Sequence, residues 1–124
     1  MLIKYGQLQY KYGFQEEARC TFDSVLKNHP KRSDIWLVYA DKEIKHGNID
    51  KFRLIFEKIF TIDFKIKVLK TIIRKYLETE MKFGTPKTVE NAKLLTQKII
   101  TDKMNEINEA QEIDENNENN MEMD

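Results

Sequence analysis

The sequence predicts an all-α fold, an α–α superhelix of about three helical hairpins. Three times along the chain a tyrosine is followed four residues later by Glu or Gln, and four residues after that by Gly. A large apolar residue stands three positions before each tyrosine. These spacings place the residues on one face of a helix that the glycine ends. The three sets are Leu2, Tyr5, Gln9 and Gly13; Trp36, Tyr39, Glu43 and Gly47; and Ile73, Tyr76, Glu80 and Gly84.

The spacing between these sets indicates a repeat. Gly13 and Gly47 are 34 residues apart, and Gly47 and Gly84 are 37 residues apart. Periods of this length are typical of helix–turn–helix solenoids. We therefore divide residues 1–104 into three repeats, 1–30, 31–62 and 63–104, and expect two helices in each.

Local signals give the approximate bounds of six helices. The first repeat has helices over 2–12 and 15–28, and Pro30 stops the second of them. The second repeat has helices over 34–46 and 49–61, with Ser33 and Asn48 as N-caps. The third has helices over 63–83 and from 86 to about 104, because Thr85-Pro86 is a helix-start signal. The expected buried stripes of the second, fourth, fifth and sixth helices are Ala18, Phe22, Val25 and Leu26; Phe52, Ile55, Phe56 and Ile59; Ile66, Leu69, Ile73, Tyr76 and Leu77; and Val89, Ala92, Leu95 and Ile99.

Charge is distributed unevenly although the net charge is zero. All 21 basic residues and 13 of the 21 acidic residues lie before residue 105, so residues 1–104 carry a net charge of +8 and residues 105–124 a net charge of −8. The last segment is rich in Glu and Asn and poor in apolar residues, so we expect an acidic disordered tail. Its first turns keep a weak helical period and are candidates to extend the sixth helix.

The amino-terminal end indicates that the repeat array continues upstream. Nothing before Leu2 can cap the first helix or cover its outer face, where Leu2, Tyr5 and Leu8 begin at once. Solenoid repeats bury their apolar faces only against neighbours, and terminal repeats need a polar outer face. We therefore expect further repeats upstream of this sequence.

Each residue type of the repeated set has a structural task. The large apolar residue and the tyrosine are expected to fill the space between paired helices, which places Trp36, Tyr39 and Tyr76 in the core. The carboxylate one turn later would meet a basic side chain from the returning helix of the same hairpin, with Arg19 and Arg53 as the partners. The glycine permits a left-handed step that reverses the chain.

These residues resemble the half-a-TPR (HAT) repeat. The likeness is carried by Trp36-x-x-Tyr39-x-x-x-Glu43-x-x-x-Gly47 with Arg53 downstream, and by Ala18-Arg19 and Pro30 in the preceding repeat. HAT repeats occur in eukaryotic splicing, polyadenylation and ribosome-assembly factors. Residues 1–104 are similar to the C-terminal HAT array of S1-domain rRNA biogenesis factors, although no S1 domain is present here. The resemblance implies a scaffold in the nucleus and nucleolus that binds protein components of pre-ribosomal or other RNA-processing complexes and forms homodimers in some arrays.

Exposed basic residues are the candidates for contact with RNA or a partner. Lysine on an outer helix face usually serves solvation, but a basic strip can also bind phosphates in a salt-dependent manner. No aromatic platform for reading bases accompanies these residues. The candidates are Lys31, Arg32, Lys67, Lys70, Arg74 and Lys75.

Composition and motifs argue against several other classes. No apolar run approaches the roughly 20 residues of a membrane span. The two histidines lack Cys or His at ligand spacing, and no phosphate-binding loop or assigned nucleophile is present, so we expect no metal, no cofactor, no small-molecule ligand and no enzymatic activity. The single cysteine, Cys20, is expected to be a packed core thiol. Three functions stay open: the rRNA-processing scaffold or a related splicing or polyadenylation scaffold, a peptide-binding co-chaperone of the TPR type, and direct RNA binding by the repeats.

Overall fold

A computed structural model describes the backbone of residues 2–122 and the side chains of residues 3–111. Within residues 2–122 it contains six helices and no strand. The all-α prediction is therefore confirmed for the described part of the chain. The helices are α1 (Leu2–Lys11), α2 (Gln15–Asn28), α3 (Ser33–Lys45), α4 (Ile49–Ile59), α5 (Ile66–Phe83) and α6 (Pro86–Glu122).

The chain divides into two compact units, Met1–Ile72 and Ile73–Asp124. The amino-terminal unit contains α1 to α4 and the start of α5. In it, α1 packs on α2 and α3 packs on α4 as two hairpins, and α3 also contacts both α1 and α2. The carboxy-terminal unit contains the rest of α5 and α6. This division falls inside α5, so the expected boundaries of three repeats remain a prediction.

The turns of the first two hairpins share one hydrogen-bond pattern. Gly13 and Gly47 have φ values of +86° and +77°, in the left-handed region that glycine adopts without steric cost. Phe14 N donates to Gln9 O and Asn48 N donates to Glu43 O, six-residue closures that satisfy carbonyls at the helix ends. The left-handed step predicted for these two glycines is confirmed.

Gly84 differs from Gly13 and Gly47 in the reason that its position requires glycine. Its φ is not positive, but a Cβ built there would lie 2.6 Å from Glu80 O and 2.5 Å from Thr88 Oγ1. The predicted left-handed step is wrong for Gly84, where lack of space excludes a side chain. Thr85 then caps the start of α6, since its Oγ1 accepts from Thr88 N at 3.2 Å, as the helix-start signal predicted.

Helix bounds and caps differ from the sequence predictions in several places. Ser33 is the first residue of α3 rather than its cap, and Arg32 holds the cap position. Asn48 is the residue before α4 as expected, but its side chain makes no cap hydrogen bond. The fifth helix begins at Ile66, three residues later than predicted, and Phe64 is buried in the loop before it. The sixth continues past Met104 to Glu122, through most of the segment predicted to be disordered, while Met123 and Asp124 lie outside the described residues.

The core of the amino-terminal unit is built from aromatic side chains of α1 to α4. Phe22 stacks on Tyr39 with ring centroids 4.9 Å apart and an angle of 10° between the planes. Tyr10 contacts Phe22 at 6.0 Å between centroids. The predicted buried positions of α2 and α4 are confirmed, since all eight side chains are buried. Burial of each large apolar side chain stabilises the unit by about 1.5–3 kcal/mol.

Several predicted core positions are exposed. Tyr5 is 57% exposed because α1 turns Gly6 and Tyr10, not Tyr5, towards α2; a Cβ on Gly6 would lie 2.8 Å from the Phe22 ring. Cys20 is also exposed, so the expectation of a core thiol is wrong. Of the buried stripe predicted for α6, Leu95 is exposed. The next residue, Thr96, is buried instead, and its hydroxyl donates to Ala92 O.

Candidate interaction surfaces

A buried carboxylate connects the two hairpins of the amino-terminal unit. Glu43 in α3 is 0% exposed and accepts from Arg19 Nε at 2.7 Å and Arg19 Nη2 at 3.1 Å. It also accepts from the Tyr10 hydroxyl and from Asn48 Nδ2 at 3.0 Å. Three helices and the α3–α4 turn therefore converge on one side chain.

Electrostatics keep this carboxylate ionised. Burial raises the pKa of Glu43, but hydrogen bonds from Arg19, Tyr10 and Asn48 outweigh it, so the pKa lies below its ordinary value. Burial and the bond to Glu43 raise the pKa of the Tyr10 hydroxyl, which therefore stays protonated and donates. Every acceptor position of the carboxylate is occupied, so the cluster holds hairpins together and offers no free group for catalysis.

The pairing differs from the one predicted. Sequence analysis paired Glu43 with Arg53 of the same hairpin, but Arg19 of the preceding hairpin occupies that place. Arg53 instead lies 3.7 Å from Asp50, one turn earlier on α4. Gln9, the equivalent of Glu43 in the first repeat, accepts from Thr21 Oγ1 at 2.7 Å and not from Arg19. The predicted pairing within each hairpin is therefore wrong.

The other signature residues take structural positions. Trp36 and Tyr39 are buried, as predicted, and Trp36 Nε1 donates to Pro30 O at 2.9 Å, which fixes the link between the hairpins. Tyr76 is half-buried. Glu80 is buried in the carboxy-terminal unit beside Gly84.

The six basic residues chosen from the sequence do not gather in one cavity. Arg32 pairs with Asp34 at 2.9 Å, and Lys31 Nζ donates to Asp63 O at 2.6 Å, so both are engaged locally. Lys67 and Lys70 are exposed on the part of α5 that belongs to the amino-terminal unit. In the carboxy-terminal unit Arg74 is exposed and Lys75 is half-buried. Their contact with RNA or a partner remains a prediction.

A basic groove that sequence analysis did not identify lies between α1 and α3. Its volume is about 610 Å³ and no acidic residue lines it. Tyr10 forms part of the lining, and its ring stacks on His46 with centroids 5.5 Å apart. Lys11 and Lys45 are 34 residues apart and so occupy the same position of consecutive repeats. This spacing is the sequence signal from which their proximity could have been predicted. We call this the lysine-lined groove, formed by Lys4, Gln7, Leu8, Tyr10, Lys11, Lys42, Lys45 and His46.

An exposed apolar surface on α1 adjoins this groove and shares Leu8 with it. Four large side chains on it are between 49% and 68% exposed. With Gln9 and Glu17 they line an open cavity of about 500 Å³. We call this surface the α1 apolar patch, formed by Tyr5, Leu8, Tyr12 and Phe14.

Comparison with known proteins gives relatives that match most of this chain. Protein RRP5 homolog of Mus musculus is 33% identical over 107 residues, which are 86% of this chain. This chain is similar to RRP5 proteins. The rRNA biogenesis protein RRP5 of Arabidopsis thaliana is 37% identical over 69% of the chain, and that of Drosophila melanogaster is 35% identical over 74%. The resemblance to an rRNA biogenesis factor that the motifs predicted is confirmed.

The similarity covers most of this chain but a small part of each relative. The matched segment spans 4–6% of the length of these RRP5 relatives. No family model and no solved structure matches the chain. Among the helices described here, none combines the length and the apolar character that a bilayer crossing requires.

Proposed function

We propose that this chain is a non-enzymatic repeat scaffold in rRNA biogenesis, which holds protein partners and RNA of a pre-ribosomal complex at fixed positions. The similarity to RRP5 proteins carries the proposal, because these relatives are named rRNA biogenesis proteins. We propose that it acts in early assembly of the small subunit, in the nucleolus. The chain would act by docking its partners, with no bond made or broken.

The structure supports a docking role through rigidity. Glu43 connects α1, α2 and α3 through charged hydrogen bonds, and Trp36 fixes the link between hairpins. A surface supported in this way loses little conformational entropy when a partner binds, which favours affinity. The lining of the lysine-lined groove contains four lysines and no acidic residue, so we assign it as the principal docking surface for anionic partners.

The test is sedimentation of the tagged full-length protein in lysates of cells that encode it. We expect it to sediment with particles that contain pre-rRNA of the small subunit. Lys42→Glu with Lys45→Glu should reduce that association, because reversed charges in the groove repel an anionic partner. Lys67→Glu with Lys70→Glu is the matched variant on α5, with the same change of charge outside the groove.

The outcomes separate the candidate functions. If only the Lys67→Glu, Lys70→Glu variant lost association, the docking surface would be the exposed basic side chains of α5 and not the lysine-lined groove. Co-purification with spliceosomal or polyadenylation complexes in place of pre-rRNA would contradict the rRNA assignment and support the related scaffold. Sedimentation of the protein as a free species would contradict both.

One observation favours a second candidate, a peptide-binding repeat of the TPR class. The lysine-lined groove combines four lysines with the apolar side chain of Leu8, a combination that suits an acidic peptide with aliphatic residues. Fluorescence anisotropy with such a labelled peptide tests it, and a single-stranded RNA competitor distinguishes direct RNA binding. RNA contact would weaken steeply with added salt. A peptide that binds equally to the wild type and to the Lys42→Glu, Lys45→Glu variant would refute this candidate.

A further inference from the structure

The ends of α1, α3 and α5 carry the same order of residues, a lysine, an aromatic residue and the turn glycine. The three copies of this element are Lys11-Tyr12-Gly13, Lys45-His46-Gly47 and Lys82-Phe83-Gly84. The turns require the glycine, through positive φ at Gly13 and Gly47 and through lack of space at Gly84. Neither requirement extends to the two residues before the glycine, so the lysine and the aromatic residue need an explanation of their own.

The aromatic residues of this element are exposed. Tyr12 is 68% exposed and Phe83 is 49% exposed, and His46 is also exposed. Lys11 Nζ lies 5.9 Å from the centroid of the Tyr12 ring, and Lys82 Nζ lies 5.3 Å from that of the Phe83 ring. Single exposed apolar side chains are ordinary on protein surfaces. The recurrence of a ring beside a lysine at one repeat position instead indicates a ligand that has both a flat face and negative charge.

At the end of α3 the protein core supports the aromatic ring. The rings of Tyr10 and His46 stack with centroids 5.5 Å apart and an angle of 19° between the planes. Tyr10 is itself fixed, because its hydroxyl donates to Glu43 and its ring contacts Phe22. The orientation of the His46 ring is therefore set before any ligand arrives, which lowers the entropic cost of stacking on it.

Lysines surround this supported ring. The lysine-lined groove contains His46 together with four lysines, and no acidic residue lines it. Lys45 Nζ also lies 3.2 Å from Asp41 Oδ2, but both side chains are partly exposed and such a pair is weak, so a phosphate can take the place of the carboxylate. Since Lys11 and Lys45 line one groove, the turns that follow α1 and α3 lie side by side.

Single-stranded RNA has both features that this surface selects. Its phosphates carry negative charge, and its unpaired bases stack on tyrosine and histidine side chains. Such stacking depends little on base identity, because every base has a flat face. An acidic peptide would use the lysines, but it gives no task to exposed rings at equivalent positions of consecutive repeats.

Given the proposed role in rRNA biogenesis, on which this inference rests, we propose that the turns after α1 and α3 form a binding site for single-stranded RNA. One base stacks on Tyr12 and another on His46, while Lys11, Lys45 and the other lysines of the groove contact phosphates. The strand crosses from the first hairpin to the second and is bound with little preference for sequence. None of the six basic residues chosen from the sequence belongs to this site.

The experiment compares a strand that has bases with one that lacks them. The full chain is titrated into fluorescein-labelled decauridylate, and fluorescence anisotropy reports binding. The matched probe is a labelled ribose-phosphate strand of the same length without bases. We expect decauridylate to bind at least about fivefold more tightly, because each stacked base contributes about that factor or more. A labelled peptide of alternating Glu and Leu is the third probe and should bind more weakly than decauridylate.

Substitutions separate contacts to bases from contacts to phosphates. Tyr12→Ala and His46→Ala should each weaken decauridylate binding about fivefold or more and leave its dependence on salt unchanged, because the phosphate contacts remain. His46→Phe keeps a ring and should bind like the wild type. Lys42→Glu with Lys45→Glu should weaken binding of both strands and reduce the dependence on salt. Tyr5→Ala is the matched control, because Tyr5 is an exposed tyrosine of α1 outside the element, and its affinity should not change.

Tyr12→Ala should fold normally, because most of the Tyr12 side chain is exposed. Equal urea midpoints of this variant and the wild type, followed by Trp36 fluorescence, verify that a loss of affinity is not a loss of structure.

Four results would overturn the proposal. They are equal affinity for the strands with and without bases, unchanged decauridylate affinity when Tyr12→Ala and His46→Ala are combined, weakening by Tyr5→Ala as strong as that by Tyr12→Ala, and tighter binding of the acidic peptide than of decauridylate. The last would assign the groove to a protein partner. None of these results bears on sedimentation with pre-rRNA, so the proposed role in rRNA biogenesis stands or falls separately.

Discussion

Arg19 of the first hairpin and Glu43 of the second form a two-point hydrogen-bonded ion pair, with Nε and Nη2 at 2.7 and 3.1 Å from the two carboxylate oxygens. The carboxylate is fully buried. A bidentate arginine–carboxylate pair fixes direction as well as distance. This pair therefore determines the register in which one hairpin lies on the next.

Glu43→Ala should destabilise the amino-terminal unit by about 3–5 kcal/mol, because it leaves Arg19 without its buried partner. The Tyr10 hydroxyl loses its acceptor at the same time. Urea unfolding followed by Trp36 fluorescence measures the effect. Glu57→Ala on the exposed face of α4 is the matched control, and we expect its midpoint to change little. Equal midpoints for the two variants would show that the network does not stabilise the unit.

The stability of the unit should fall at acidic pH through Glu43. Its pKa in the folded chain is below the ordinary value of 4.5, so the folded state binds the proton less readily than the unfolded state. The stabilisation is complete above roughly pH 5 and is lost as the pH falls through the folded pKa. Unfolding free energies measured over this range should show a smaller acid loss in Glu43→Gln. An unchanged pH profile in that variant would assign the acid loss to other carboxylates.

Alanine at the turn glycines should separate two physical effects. Gly47→Ala places a Cβ at positive φ in open space, so its cost is the left-handed backbone itself, about 1–2 kcal/mol. Gly47→Asn should cost less, because asparagine tolerates this conformation. At Gly84 the conformation is ordinary but Glu80 O stands 2.6 Å from a Cβ, so Asn should be no better than Ala. Thermal unfolding of the four variants gives the comparison, and the same ranking at both glycines would contradict it.

Cys20 should react with a thiol reagent in the native protein. It is exposed on α2 and is the single cysteine of the sequence. We expect complete modification by Ellman's reagent without denaturant, at a rate that does not increase when urea is raised below the unfolding transition. Reaction that begins with unfolding would instead support the core position that the sequence predicted.

The sequence was sufficient for the helices, because their signals are local. The structure contains the turns and helices that these signals predict. The signals are Gly13 and Gly47 at the turns, Thr85-Pro86 at the start of α6, and the apolar periods of α2 and α4. For the acidic segment, composition predicts disorder and a weak helical period predicts an extension of the sixth helix, and the structure describes helix as far as Glu122.

Contacts between hairpins were the part that sequence could not determine. Arg19 and Arg53 stand at the same position of their repeats, so either could be drawn to Glu43, and the choice depends on how one hairpin lies on another. The lysine-lined groove was missed for the same reason. Lys11 and Lys45 come together through packing of α1 on α3, and no period within a single helix reveals it.

The position of Glu43 has a consequence for how the chain can change over evolutionary time. Its charge is neutralised by a residue 24 positions earlier, in a different hairpin. Loss of the first hairpin would leave the Glu43 carboxylate without its guanidinium partner, so the second hairpin depends on its neighbour for the neutralisation of a buried charge.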